Sequence, residues 1–444
     1  EYEDSCRSFY QFASSHKKLK VATRQIPGSV RLPKTLRSGL KIQDIQVHGQ
    51  RREPDDKIYE THEKIRHLIA RGNTLLSFRK DGEDHICFPL YGMKKFTGGM
   101  GDDDDQANGG DNTTWQKFFT QSSDTASHII GTSKENGSAA HLTAIFVDGE
   151  YVLIGGSKNS HLICSLKHGE EDLRLYPDSP WKVAKIIMQA IFDLFKDMGE
   201  ENTEKFLFLL ANWHLTAIFE MLDPNDQHVE LLTNPKPIVR FITFTSAWRG
   251  EQPQDNNLLC LYPIHAVKLA EAYNMPTITY EVVGLSPDKA QRDEAFASLQ
   301  DRIRRDFGNE GQVLYFATED DVVIGLLKKK TMWYIILRAL REKYKLYQSF
   351  LHRKNTGKDT RFKSLEEQKN DLERLIKRRL AEIQKWLAFS DEYLQQWESI
   401  GLAGNEWVFQ QLKNKKLNPD LLGNQFPVVW DNFLKETGRN DRIQ

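Results

Sequence analysis

The chain has 444 residues, 28% of them charged, with a formal net charge of −1; that size accommodates two or three domains with substantial cores. The balance excludes a fibre, a disordered chain and a protein that is basic throughout, so a nucleic-acid surface would have to be a local cluster of Lys and Arg. Cys6, Cys87, Cys164 and Cys260 show neither metal spacing nor a dense disulfide pattern, which suits a reducing compartment, and no apolar run reaches the roughly 18 residues of a spanning helix. The expectation is an intracellular protein of cytoplasm or nucleus with no membrane segment. Glu1 stands where a methionine would, as expected of a processed or trimmed N-terminus, so no targeting signal is read.

Residues 1–60 are polar, with Lys17-Lys18-Leu19-Lys20 and Gln50-Arg51-Arg52 between short strand-like pieces, and are expected to be an N-terminal extension packed on the domain after it. Alternating β-rich segments come next at 74–78, 85–89, 142–146 and 151–154, the last two joined by an Asp148-Gly149 hairpin turn. Between them, 98–112 is glycine-rich and carries Asp102-Asp103-Asp104-Asp105, the pattern of a solvated loop. Helical periodicity covers 181–198; strands are expected over 206–222 and 238–245, a helix over 287–307, and two strands over 312–317 and 322–327. After Lys330 the chain turns to long helices. Ser364-Leu365-Glu366-Glu367 is a capping box, and Trp386, Tyr393, Trp397 and Trp407 supply aromatic packing.

The chemistry lies in an ordered series: Lys134-Glu135-Asn136-Gly137, Ser157-Lys158-Asn159, Phe219-Glu220, Glu310-Gly311 and Lys328-Lys329-Lys330. The K-x-x-G template alone is weak, since Lys95, Lys196, Lys354 and Lys435 also match it. Only Lys134 stands upstream of the full series. A lysine on a short turn can attack an α-phosphate once its charge is suppressed, and Lys158, Lys328 and Lys330 are the cations expected to suppress it and to neutralise the phosphoryl oxygens. Glu310 heads a strand whose hairpin partner carries Lys328 and Lys330, and its carboxylate suits Mg²⁺ or Mn²⁺. Glu220 suits ribose hydroxyls or the metal shell. Strand alternation puts Lys328 and Lys330 on one face and points Lys329 away. Taken singly, each of these charges reads more readily as a solvated surface residue.

The series resembles that of ATP-dependent RNA ligases that repair tRNA, the phage RNA ligase 1 type and the ligase domain of fungal and plant tRNA ligases. Ala70-Arg71-Gly72, Lys94-Lys95-Phe96, Gly156-Ser157-Lys158-Asn159-Ser160 and Lys328-Lys329-Lys330-Thr331-Met332-Trp333-Tyr334 are similar to further elements of that family. Thr97-Gly98 departs from it after Lys95-Phe96. The resemblance implies that Lys134 is adenylated, that Arg71, Lys95, Glu135, Lys158, Glu220, Lys328 and Lys330 bind ATP or phosphate, and that Glu310 holds the metal. It implies an α+β nucleotidyltransferase with antiparallel sheets framing an ATP cleft: an adenylyltransferase domain over 61–345 and an all-helical C-terminal domain over 346–444. ATP and Mg²⁺ or Mn²⁺ would be the cofactors and RNA, tRNA or tRNA halves, the partner. No kinase or phosphodiesterase motif occurs, so end-healing enzymes would be separate. The alternatives are a GTP-dependent capping guanylyltransferase, which Asn136 disfavours because that lineage resembles K-x-D-G, and a non-catalytic RNA-binding relative.

Overall fold

The computed structural model describes residues 2–49, 53–99, 101–102, 113–246, 259–356 and 363–443; Gln50-Arg51-Arg52 and Asp103 to Asp105 lie outside them. The chain is α+β, and the described residues form three sheets and a helical C-terminal region. A first sheet runs in chain order through β1 (Leu19–Gln25), β2 (Lys41–Val47), β3 (Asn73–Lys80) and β4 (Glu83–Tyr91). The remaining strands are β5 (Thr97–Gly98), β6 (His128–Ser133), β7 (Ser138–Val147), β8 (Glu150–Ser157), β9 (Ser160–Ser165), β10 (Leu215–Leu222) and β11 (Ile238–Ser246). After them come β12 (Tyr280–Gly284), β13 (Gly311–Ala317) and β14 (Val323–Lys330). The second sheet has the order β11-β10-β7-β8-β9 and the third β12-β6-β13-β14-β5. Among the described strands the pairings are antiparallel except the short β14–β5 contact.

Residues before position 60 supply two strands of the first sheet, because β2 pairs with β3 over Lys41↔Ser77 to Asp44↔Thr74. Asp148 and Gly149 both take positive φ, +50° and +83°, as the tight β7–β8 hairpin requires. The strand expected over 206–222 starts only at Leu215. Residues up to Trp213 form the helix Glu200–Trp213, which His214 ends with a left-handed φ of +50°. The run Phe206-Leu207-Phe208-Leu209-Leu210 hides that helix from periodicity, since apolar residues occupy both its faces; Phe206, Leu207 and Leu210 are buried and Phe208 is exposed. This helix and Asp178–Met198 cover one face of β7, β8 and β9, where Ala140, Leu142, Leu153 and Leu162 meet Ile187, Ile191 and Phe206. The opposite face packs on the first sheet, β7 against β4 and β9 against β2, and lines the cleft around Ala139, His141, Ile218 and Glu220.

The helix Met332–Asn355 follows β14 directly, its first turn capped by Thr331, whose Oγ1 accepts from the Tyr334 N–H at 3.0 Å. It packs with Leu365–Leu387 and Asp391–Lys413 around Leu340, Ile376, Leu380 and Trp397. The Ser364 and Glu367 capping box forms as read from the sequence. Among the described residues no helix is long and apolar enough to cross a membrane.

Candidate active site

A cavity of about 450 Å³ opens between the second and third sheets, and Arg71, Lys95, Lys134, Glu135, Lys158, Glu220 and Lys328 all line it. The lysine comes from the turn between β6 and β7. Its backbone N–H donates to Gly311 O at 2.9 Å, tying the turn to the head of β13. Gly137 is needed three residues later because a Cβ there would lie 2.1 Å from the Met221 carbonyl of β10. Its N–H donates to Glu220 Oε1 at 3.0 Å. The turn is thus clamped from both sheets, and Lys134 stands where they meet.

Glu310 is the partner of Lys134, with Nζ to Oε1 at 2.8 Å; Lys330 Nζ lies 3.6 Å from the same oxygen. Glu310 and Lys330 are buried behind the cavity wall. Asn136 completes this cluster. Its Nδ2 donates to Glu310 Oε2 and to the Tyr334 hydroxyl, both at 2.9 Å, while its Oδ1 accepts from the N–H groups of Val229 at 3.0 Å and Glu230 at 3.1 Å. An aspartate could accept those backbone bonds but would set a second carboxylate against Glu310. The asparagine of the K-E-N-G turn is therefore a requirement of this packing.

The charge on Lys134 departs from the sequence expectation. Burial opposes the ammonium form, but Glu310 and Glu220 outweigh burial and hold its pKa above the ordinary lysine value. Of the cations expected to suppress its charge, Lys158 and Lys328 stand farther along the cleft, and Lys330 shares the Glu310 carboxylate that touches Lys134. Burial pushes Lys330 down to about 8 despite Glu310, with Lys328 and Lys134 adding repulsion. Burial also raises Glu220 to about 7 against the pull of Lys134, and raises Glu230, next to Glu310, to about 8. Glu310 stays below the usual carboxylate range because Lys134 and Lys330 overcome its burial.

At the other end of the cleft cations prevail. Burial and then Lys328 lower Lys95 to about 7, although Asp56 Oδ1 is 2.6 Å from its Nζ. Burial and then Arg71 lower Lys158. Glu135, also on the wall, accepts from Arg240 Nη1 at 2.8 Å and from Ser133 Oγ at 3.0 Å.

Two further expectations change. Lys329 does lie on the other face of β14 from Lys328 and Lys330, yet it is buried and reaches Asp102 Oδ2 at 3.1 Å instead of solvent. Asp102, read as part of a solvated acidic loop, is itself fully buried. It accepts from both terminal nitrogens of Arg304 at 2.6 and 2.7 Å and from the Lys330 N–H at 2.8 Å. Arg304 and Lys329 supply the positive charge that makes an acidic residue stable inside.

No separate sequence signal marked Asp56, Arg240 or Glu230. His141 had a partial one: β7 parity puts it on the same face as Ala139, and both line the cavity. Among the described residues no three His, Cys, Asp or Glu side chains are grouped as a complete metal cage. Mg²⁺ does not need one, since it takes one or two carboxylates and fills its shell with water and phosphate oxygens. Glu310, with Glu230 beside it carrying a buried Oε1 that has no hydrogen-bond partner, fits that requirement.

Comparison with solved structures finds a Naegleria gruberi RNA ligase with pyrophosphate, 10% identical, covering 72% of this chain and 98% of that one, at a TM-score of 0.31. A point mutant of a Naegleria gruberi RNA ligase with ATP and Mn is 9% identical over the same shares, at 0.29. No curated protein matches the chain. The model of a domain of unknown function, DUF7920, matches residues 114–341, which spans β6 to β14 and with them Lys134, Glu220, Glu310 and Lys330. The chain belongs to the DUF7920 family, and the clamped lysine turn, its carboxylate partner and the basic cleft all lie on or around that domain.

Proposed function

We propose that the chain is an ATP-dependent RNA ligase working through a lysyl-AMP at Lys134. The observation that carries this reading is the seating of Lys134: on a turn clamped by two sheets, against Glu310, at the mouth of a cavity whose far wall holds Arg71, Lys95, Lys158 and Lys328. A triphosphate laid along that wall meets Arg71, Lys95 and Lys158 with its β and γ groups and presents its α-phosphorus to Nζ beside Lys328. The amine must first give up a proton; then a P–N bond forms as the bond to the bridging oxygen breaks and pyrophosphate leaves. AMP next passes to an RNA 5′-phosphate, which frees the amine. Attack by an RNA 3′-hydroxyl forms the phosphodiester and releases AMP.

Lys328 and Lys330 stabilise the charge that develops on the α-phosphate, the term on which phosphoryl-type transfer chiefly depends. Glu220 takes the ribose hydroxyls, and Arg71, Lys95 and Lys158 hold the leaving pyrophosphate. Glu310 would hold Mg²⁺ or Mn²⁺, which would supply positive charge to the phosphate oxygens. The RNA, a tRNA or its halves, is bound with help from the C-terminal helices, where Lys377-Arg378-Arg379 and Lys413-Asn414-Lys415-Lys416 offer local positive charge.

Incubation with α-labelled ATP and, separately, GTP tests the reading. Label on the chain from ATP but not GTP, followed by its transfer to a 5′-phosphorylated RNA, is the expected result. Label from GTP alone would replace the ligase reading by a capping one, and no label from either would end both.

A further inference from the structure

The proposed chemistry leaves one buried chain of titratable groups unused, and it ends on the cleft wall. Asp44 of β2, His161 of β9 and His141 of β7 are all buried. Arg24 is ion-paired with Asp44 Oδ2, and Asp44 Oδ1 accepts from Thr74 Oγ1 at 2.9 Å. His161 Nδ1 lies 2.8 Å from the same Oδ1, and His161 Nε2 lies 3.1 Å from His141 Nδ1. The two imidazoles are stacked, with centroids 5.4 Å apart at 21°. Gly72 makes room for them: at a φ of +119°, a Cβ there would lie 2.4 Å from His141 Cε1.

This bonding fixes the hydrogens. A carboxylate only accepts, and the Thr74 hydroxyl, 2.9 Å from both Asp44 Oδ1 and His161 Nδ1, gives its hydrogen to the carboxylate, so His161 Nδ1 carries a hydrogen toward Asp44. Arg24 already compensates the Asp44 charge, so a buried imidazolium at His161 would have no counter-charge. With its hydrogen on Nδ1, His161 presents Nε2 as the acceptor, which requires His141 Nδ1 to donate. Burial, with Arg71 nearby, pushes His141 well below the ordinary histidine value, so it is neutral. Its Nε2 is left as a lone pair.

The position of that lone pair narrows what it can meet. The register pairs His141 with Ile218 and Ala139 with Glu220, and all four line the cavity. Ala139 and Ile218, with Ile242, make an apolar floor with Glu220 at one end and His141 at the other, where a sugar or a base can lie. Phosphate oxygens would be repelled by a lone pair, and a cation by Arg71. We propose that His141 is a specificity-determining residue, whose Nε2 accepts a hydrogen bond from an uncharged donor of the bound nucleotide, a sugar hydroxyl or an exocyclic amine. Asp44 and His161 act through it as positioning residues. This role rests on the nucleotide-binding reading of the cleft.

The test compares lysyl-adenylate formation from ATP, 2′-deoxy-ATP, 3′-deoxy-ATP and purine riboside triphosphate, which lacks the amine. In the wild type the analogue missing the contacted donor loses about tenfold in kcat/KM, the worth of one neutral hydrogen bond, mainly through KM. His141→Ala removes that penalty and keeps those of the other analogues, and the analogue concerned tells hydroxyl from amine. Asp44→Asn can donate to His161 Nδ1 and so reverse both tautomers; it removes the same selectivity without deleting the ring. Identical penalties in all three proteins overturn the proposal while leaving the ligase reading intact. A wild type that takes no label from ATP overturns both.

Discussion

In the helical region after Met332 the buried residues are mostly apolar: Leu340, Ile376, Leu380, Ile400 and Phe433 pack around Trp397. Around the cleft the buried side chains include Lys95, Lys330, Glu310, Asp102 and His141, each held by a charged or polar neighbour. Apolar packing stabilises roughly in proportion to area, whatever lies next to it. A buried charge is tolerated only with its partner in place, and removing that partner costs several kcal/mol. Stability and chemistry are thus concentrated in different parts of the molecule, and substitutions should separate them.

The sharpest separation is at Lys134. Lys134→Ala abolishes protein labelling from ATP, yet the variant still seals a pre-adenylated RNA, because later steps do not use that amine; persistent ATP-dependent labelling would remove Lys134 from its role. The reverse case is Ile376→Ala, which lowers stability by about 2–5 kcal/mol through lost burial and a cavity. Chemical denaturation measures that loss, and label transfer well below the melting temperature should be unchanged. If Ile376→Ala slowed adenylation as much as it destabilised, the two regions would not be separable.

β14 holds both behaviours in adjacent residues. Lys328→Ala and Lys330→Ala each cost about 2 kcal/mol or more of transition-state stabilisation in single-turnover adenylation, as for one preorganised donor. Lys329→Ala instead removes one bond to Asp102, costing about 1–3 kcal/mol of stability with little effect on the adenylation rate. A rate loss at Lys329 exceeding that at its neighbours would show the assignment of faces to be wrong.

Lys95 gives a pH test. Its free-site pKa is lowered to about 7; a bound polyphosphate favours the ammonium, so binding takes up a proton and tightens as pH falls through about 7. Pyrophosphate affinity should rise up to about tenfold from pH 8 to pH 6, and Lys95→Met should lose the Lys95 share of that rise in calorimetry. The smallest effect on chemistry belongs to the C-terminal basic clusters. Reversing charge at Lys377, Arg378, Lys413 and Lys416 should leave adenylation intact, weaken sealing of a structured nicked RNA and flatten its salt dependence.

Period and motif order were legible in the sequence. β3, β4, β7, β8, β13 and β14 lie where alternation put them, within a few residues at their ends, and the helix opened by Ser364 does too. These are local signals: side-chain alternation, a turn that needs positive φ, a cap three residues from its glutamate. The motif residues converge on one cleft for a related reason, since each is fixed by the strand or turn that carries it. Three things could be decided only by the fold. The helix Glu200–Trp213 is set by the sheet face it covers, which an apolar run cannot specify. Asp102 and Lys329 look like surface charges until Arg304, 202 residues along the chain from Asp102, meets them in the interior. The charge on Lys134 and the tautomer of His141 depend on Glu310 and on the Asp44–His161 chain, neighbours brought together from other strands, because a buried group's protonation is set by what lies within a few ångströms of it in space.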